Sequence, residues 1–423
     1  MLQTQSGIII VLILNSFRFS GYPGCRGAGI EIGPWLMMRQ EDNQTASLAW
    51  RRFSGLLSGE IYMHCRPGER QAGSASGQAA SVYRALEVFL RREKGSLQNI
   101  VQEVVFFRNI RRDFEAFRQA RGRAFASAGG FPALLPATTF IEQPPLESGA
   151  DVIISATAML PREGVAHTHH PSPHPEVRSF SLGEQKHVYA GSIFGTPGAP
   201  FDETHSMFCR AEELLRENGM TFHDVVRTWI YLRNMERDYA DFNRGRREFF
   251  RQRNIRLLPA STGIFGAPRP EKANFLLAVY AIQSPRLLET AAMSTPALNE
   301  ACTYGSDFSR GMRVAEGNKV ALYISGTASV DEEGRTAHPG NFEAQVGRML
   351  WNVETLLAAQ KATSGNLLAA VTYLKNAEDA PAFLAIMRDR GLDSLPNSLV
   401  HAAVCRTDLL CEMEAIAALP LPE

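Results

Sequence analysis

The sequence predicts an α+β protein of three tandem units, each a mixed sheet with two helices on one face, and three observations lead there. First, residues 101–125 (VQEVVFFRNIRRDFEAFRQARGRAF) match residues 226–250 (VRTWIYLRNMERDYADFNRGRREFF) without a gap, and a shorter echo follows at residues 371–376 (VTYLKN) and Phe383. Second, in the two long copies a β-branched and aromatic run gives way at Arg-Asn to apolar residues at helical spacing. Third, a Pro-containing boundary and a closing apolar run follow every copy. A repeat of this period marks one structural unit per copy, and helices segregated to one face of a sheet define the class.

The elements follow in order. The chain opens on a short apolar run at residues 7–14 (GIIIVLIL) and a Gly/Pro/Arg-rich stretch. No Lys or Arg precedes the run, as an export signal would require. Residues 1–44 are therefore expected as an unstructured leader, with Met37 or Met38 nearer the working start. The first unit is expected over 45–160, the second over 177–284 and the third over 300–421. An extended segment opens each: residues 59–64 (GEIYMH), 187–191 (HVYAG) and 320–326 (VALYISG). A long amphipathic helix follows, its buried stripe marked by Val82, Leu86 and Leu90 in the first unit and by Met349, Val353 and Leu357 in the third. The strand and helix of the repeat come next. Boundaries at Pro136, Pro259 and Pro396 precede closing strands at 152–158, 275–281 and 411–417. Residues 161–176 hold His167, His169, His170 and His174, but in a Pro-broken segment without strand or helix spacing. A solvated linker is expected there rather than a metal site. Residues 284–307 read as a second, irregular linker.

Composition narrows the function classes. Of the 423 residues, 44 are Lys or Arg and 44 are Asp or Glu, so the formal net charge is zero. A nucleic-acid binder would carry a basic excess. No apolar run approaches the ~20 residues of a membrane span. Six cysteines lie scattered without a CxxC pair, which fits a reducing cytoplasm better than a disulfide framework. No nucleotide, metal or cofactor motif is apparent, and a Gly-rich stretch at 73–77 reads as a loop.

The last strand carries the distinctive chemistry. Side chains alternate faces along a strand, so Cys411, Met413, Ala415 and Ala417 share one face and suit packing under helices. Leu410, Glu412, Glu414 and Ile416 share the other, turned toward the interior between units. The corresponding positions are Ile153 and Ser155 in the first unit and Leu276 and Ala278 in the second. One of three related clefts therefore bears acids on this strand. A carboxyl flanked by Leu410 and Ile416 is poorly solvated, and burial raises its pKa. Moving Glu from about 4.3 to about 7 costs roughly 3–4 kcal/mol. Such a neutral acid suits protonation of an enol-ether or enamine carbon.

The three-unit plan resembles the Rid superfamily (YjgF/UK114, reactive intermediate deaminases, also known as endoribonuclease L-PSP-like proteins). The resemblance rests on residues 325–334 (SGTASVDEEG), Gln345, Asn352 and the strand 412–417 (EMEAIA). Such proteins are usually trimers of one unit with clefts between subunits. Three units on one chain imply an intramolecular pseudo-trimer of chorismate-mutase-like units. The second and third units further resemble chorismatases, through residues 227–231 (RTWIY), 242–246 (FNRGR), 259–263 (PASTG), 304–310 (YGSDFSR), 338–340 (HPG) and 405–410 (CRTDLL) with Glu412. Ile230 stands where that branch has Asn.

The resemblance implies a hydrolase or lyase that releases pyruvate from chorismate or a related cyclic acid, without a cofactor. It assigns Glu412 as the proton donor. It places Cys405 where chorismatases that make 3-hydroxybenzoate carry Cys; a small buried residue is the alternative. Glu414 is expected as an ion-pair partner. A dicarboxylate substrate needs fixed cations, and Arg suits this. Arg310 and Arg246 rank first, followed by Arg227, Arg244 and Arg406. Phe308, Ser309, Thr327 and Tyr231 complete the expected binding set, with Trp229 as a further ring-flanking candidate. Two other readings stand beside this one, an imine/enamine deaminase and a non-catalytic ligand-binding pseudo-trimer. Deaminases of this family place an Arg just after the boundary Pro, where this chain has Thr138, Ser261 and Asn397 or Ser398. The expected partner is a small carboxylate, with no nucleic acid and no membrane. A monomer or weak homo-oligomer is expected.

Overall fold

The computed structural model describes residues 2–3, 9–12, 29–33, 36–39, 45–68, 74–129, 134–285, 288–301 and 305–421. In chain order the first part holds β1 (Leu2–Gln3), β2 (Ile9–Leu12), β3 (Gly29–Ile32), β4 (Leu36–Arg39), β5 (Thr45–Ser54) and β6 (Ser58–Pro67). Helix α1 (Ala75–Arg92), β7 (Ile100–Phe107), α2 (Ile110–Ser127), β8 (Ala137–Glu142) and β9 (Val152–Pro161) complete it. The second part holds β10 (His167–His170), β11 (Val177–Leu182), β12 (Gln185–Ile193), α3 (Pro200–Glu217), β13 (Val225–Leu232), α4 (Met235–Gln252), β14 (Ala260–Phe265), β15 (Ala267–Pro268) and β16 (Phe275–Gln283). The third holds β17 (Glu289–Ala292), β18 (Gly311–Glu316), β19 (Lys319–Ala328), α5 (Phe342–Ala359), β20 (Leu367–Leu374), α6 (Ala380–Asp389), β21 (Asn397–His401) and β22 (Cys411–Pro420).

Three mixed sheets result, with the expected helices. The second runs β10-β11-β12-β16-β13-β14 and the third β17-β18-β19-β22-β20-β21. The first follows the same plan through β5-β6-β9-β7-β8, with β15 added from the second part at its far edge. In each sheet one parallel pair, β7 with β8, β13 with β14 and β20 with β21, is joined by the second helix of its part.

The Arg-Asn signature has a physical reason. Asn109 and Asn234 are the N-caps of α2 and α4, their side chains accepting from Arg112 N and Arg237 N. Such caps satisfy a helix donor and contribute about 1 kcal/mol. The arginines before them tie down the following loop. Arg108 donates to the carbonyls of Ala150 and Pro145, and Arg233 to those of Ala273 and Pro268. The expected stripes are buried, with Val82, Leu86 and Leu90 on α1 and Met349, Val353 and Leu357 on α5. Each fully buried aliphatic side chain contributes roughly 1.5–3 kcal/mol. Separate apolar clusters lie under the helices of the first and second parts. A third combines the core under α5 with side chains of all three sheets where their inner faces meet, among them Phe106, Tyr231 and Tyr373.

Both segments expected as linkers contain strands. His167–His170 forms β10, paired antiparallel with β11, and Glu289–Ala292 forms β17, paired with β18. His170 Nε2 lies 2.7 Å from Ser181 Oγ, and His174 Nε2 lies 2.8 Å from Glu217, so these imidazoles serve the sheet edge and α3. Pairing with a neighbouring strand overrides local sequence preference here. Of the expected leader, the described segments pair as strands: β1 with β2, β2 with β4, and β3 and β4 with β5. The rest of 1–44 lies outside the described residues, as do Gly73 of the Gly-rich stretch and Tyr304. No helix among the described residues is long and apolar enough to cross a membrane.

Candidate active site

Glu412 and Glu414 stand on the same face of β22, two residues apart, and their surroundings differ. The sheets of the second and third parts meet with β14 lying along β19. There Ser261 N donates to Ser325 Oγ at 2.9 Å and Gly326 N to Thr262 Oγ1 at 3.0 Å. A β-bulge falls at Ser325–Gly326, where pairing of β19 with β22 shifts register between Ile324 and Thr327. The bulge opens the seam beside Glu412. A Cβ on Gly326 would lie 2.1 Å from Glu412 Oε1, so a larger residue would displace the carboxyl from this place.

A small cleft lies over this point. Its lining includes Glu412, Cys405, Arg406, Arg310 and Phe308 from the third part and Tyr239 and Ser261 from the second. Glu412 is 5 % exposed. Among the described residues nothing hydrogen-bonds or ion-pairs its carboxyl. Burial, then the charge of Glu414, push its pKa up to about 8 against the opposing pull of Arg310 and Arg227. Desolvation outweighs the nearby cations because it penalises the charged form directly. The Cys405 thiol, half-buried at the same cleft, is pushed up to about 12 by burial and by Glu412. It is a neutral thiol at physiological pH.

Arginines supply the positive side. Arg310 is fixed by donating from Nε to the Asn299 carbonyl at 2.7 Å and from Nη2 to Asn299 Oδ1 at 2.9 Å. Arg246, on α4, donates to Asn243 Oδ1 at 2.6 Å. The two guanidinium carbons lie 5.9 and 5.8 Å from the Phe308 ring centre, so both lie within cation–π range of that ring. Arg406 donates to the Gly334 carbonyl at 2.5 Å. The site is a neutral buried acid facing cationic groups, which suits an anionic substrate that needs a proton.

Other expected binding residues lie elsewhere. The Ser309 hydroxyl donates to the Gly311 carbonyl and that of Thr327 to the Ser325 carbonyl, so both are spent on backbone. Arg244 pairs with Asp241 on the α4 surface. Arg227, Trp229 and Tyr231 alternate with the core side of β13 and turn toward the axis where the sheets meet. Arg227 Nη2 donates to Glu414 Oε2 at 2.9 Å and Trp229 Nε1 to Glu414 Oε1 at 2.9 Å. Glu414 is an ion-pair partner, as expected. Tyr239 was not anticipated. It stands on α4 at ordinary helical spacing, its hydroxyl 3.2 Å from Ser306 Oγ, and only the packing of α4 over the third part reveals its place.

A family model described as Endoribonuclease L-PSP matches residues 305–419. A 3-hydroxybenzoate synthase of Streptomyces hygroscopicus is 31% identical over 245 residues, covering 51% of this chain and 69% of that protein. The chain belongs to the chorismatase family. A chorismatase of the same organism is 26% identical, covering 53% of this chain and 70% of the relative. The crystal structure of a chorismatase superposes with TM-score 0.59 at 16% identity, covering 86% of this chain and all of that one, which shows the shared fold. The fold shared with that structure is the three-sheet arrangement described above.

Proposed function

We propose that this protein is a chorismatase-type enzyme that protonates the enolpyruvyl group of chorismate, or of a related cyclic acid, and releases pyruvate. The observation that carries the proposal is the Glu412 carboxyl, buried without a partner among the described residues, its pKa pushed up to about 8 by burial and by Glu414, beside Arg310 at the mouth of a cleft. Glu412 gives its proton to the terminal methylene carbon, and the neighbouring ether carbon becomes an oxocarbenium ion. Water, or the adjacent ring hydroxyl, attacks that carbon, and the Glu412 carboxylate recovers a proton from the attacking oxygen. After water attack the hemiketal collapses, its remaining hydroxyl proton passing to the departing ring oxygen, and frees pyruvate and a ring diol. After ring-hydroxyl attack the cyclic ketal frees pyruvate when one ketal carbon–oxygen bond and the other oxygen's bond to its ring carbon break and the ring loses a proton, leaving a hydroxybenzoate. Arg310 and Arg406, which line the cleft, hold substrate carboxylates, with Arg246 adding positive charge from beside Phe308, while Phe308 and Tyr239 flank the ring. Cys405 contributes a small neutral wall next to the acid.

An enamine deaminase would want an arginine at the start of β8, β14 or β21. In the acid-bearing cleft that place is Ser261, which supports the hydrolase or lyase reading instead. The test is incubation of purified protein with chorismate and measurement of pyruvate. Turnover is expected, with loss of about 10²–10⁴-fold in Glu412→Gln and substrate affinity kept. Undiminished turnover in that variant would remove Glu412 as the acid. Absence of pyruvate from wild-type protein would overturn the assignment of substrate.

A further inference from the structure

Glu414 and Arg227 do not reach the cleft, yet they are coupled to the acid that does. Glu414 is two residues from Glu412 on the same strand face, a separation of about 7 Å along β22. Both of its oxygens are held from the second part, by Arg227 and by the indole of Trp229. The Arg227 guanidinium lies 5.0 Å from the Trp229 ring centre, so the two donors brace one another. Arg227 Nη2 also donates to Thr262 Oγ1 at 2.6 Å. The same hydroxyl oxygen accepts from Gly326 N at 3.0 Å, and Gly326 is the residue whose missing side chain makes room for Glu412. One continuous set of contacts therefore runs from Glu414 through Arg227 and Thr262 to the bulge against which the acid rests.

Resting on the reading of Glu412 as the proton donor, we propose that Glu414 and Arg227 are positioning residues that together fix the bulge, Glu414 in addition favouring the proton-bearing form of Glu412. The mechanism is electrostatic as well as steric. A carboxylate about 7 Å away across a poorly solvated interior disfavours a second negative charge on Glu412. Arg227 neutralises Glu414 only in part as felt at Glu412, since burial and Glu414 raise the acid while Arg310 and Arg227 lower it. The other groups facing Glu412 are Tyr373 from β20, Cys405 and Arg406 from the loop before β22, Arg310 ahead of β18 and Tyr239 from α4, while Cys411, its neighbour on β22, points to the opposite face. Cys405 and Cys411 are both held as neutral thiols at about 12, and burial keeps the Tyr373 phenol protonated. Glu414 is therefore the anion that raises Glu412 at neutral pH. Pairing of the two across the seam makes the acid dependent on the second part as well as the third.

The test uses Glu414→Gln in the full chain, with two readouts. The first is the alkaline limb of kcat/KM for pyruvate release from chorismate. The second is the midpoint of the Glu412 carboxyl, read from ¹³C-glutamate NMR by difference against Glu412→Gln, which needs no turnover. Removing the anion and leaving Arg227 positive lowers the acid, so both readouts should move to lower pH by about one unit. The neutral pair Arg227→Met with Glu414→Leu, which leaves no buried charge unpaired, should recover at least half of that displacement. An unmoved NMR midpoint in Glu414→Gln, or a neutral pair that behaves like the single variant, would overturn the inference. If chorismate is not turned over at all, the functional reading falls, and the NMR midpoint still decides this one.

Discussion

The cleft between the second and third parts and the seam between the third and first are assembled from corresponding strands, yet one holds an unpaired acid and the other is closed by pairing. At the first, β19 bulges at Ser325–Gly326 and Glu412 sits in the space so made. At the second, β6 pairs with β9 through Ser58–Cys65 without a bulge, and Ile153 stands where the acid would be. His64 takes the place of Ser325. Its Nδ1 lies 2.9 Å from Ser398 Oγ and its Nε2 lies 3.2 Å from Glu147, which pins the first part to the third. The seam between the first and second parts is intermediate. The bulge recurs at Gly191–Ser192, but Ser192 Oγ donates to the Thr138 carbonyl at 2.9 Å and fills the gap. Buried polar groups normally carry partners because an unsatisfied one costs stability. Two seams follow that rule with Ser192 and His64. The third departs from it at Glu412, and such departures mark places where chemistry rather than cohesion sets the residue.

The contrast can be broken at its most sensitive point. Gly326→Ala puts a methyl onto the acid's oxygen and should cut turnover by about 10²–10³-fold with the fold intact, measured as kcat/KM alongside circular dichroism. Ser192→Ala, at the matching bulge, should leave turnover unchanged.

Stability gives the next largest effect. The folded protein binds the Glu412 proton more tightly than the unfolded chain does, so stability falls as pH rises from the ordinary carboxyl range through about 8. Glu412→Gln should therefore be more stable than wild type by up to ~3 kcal/mol at pH 7. The gain should vanish near pH 4, as read from urea unfolding at both pH values. At the closed seam, His64→Ala should lose about 1–3 kcal/mol of stability while kcat/KM stays at the wild-type value. Smallest of all, Cys405→Ala should cost under about 1.5 kcal/mol of stability and change the ratio of hydrolysed to rearranged product.

Much of this was legible because the signals were local. The gapless repeat could be read since Asn caps a helix and Arg ties the next loop identically in both copies. Alternation along residues 411–417 placed Glu412 and Glu414 on the inner face correctly. The expected ion pair at Glu414 is present, but alternation alone does not name its partners, Arg227 and Trp229, which come from a strand more than 180 residues away in sequence. Arg227, Ser309 and Thr327 looked like ligand contacts for the same reason. Arg227 Nη2 is bonded to Glu414 and Thr262, and the Ser309 and Thr327 hydroxyls to backbone carbonyls, which only the register of neighbouring strands reveals. The histidine-rich segment misled in the other direction. Its prolines flank β10 rather than interrupt it, and edge pairing with β11 needs no apolar alternation. Tyr239 carried no signal, since a tyrosine on an amphipathic helix reads as ordinary packing.

The claim on which the rest depends is that Glu412 carries its proton at neutral pH. Infrared difference spectra of wild type against Glu412→Gln, recorded across a pH series, read that carboxyl directly. A protonated carbonyl band that disappears with a midpoint near 8 is expected. A band already lost at the ordinary glutamate value of about 4.3 would contradict it.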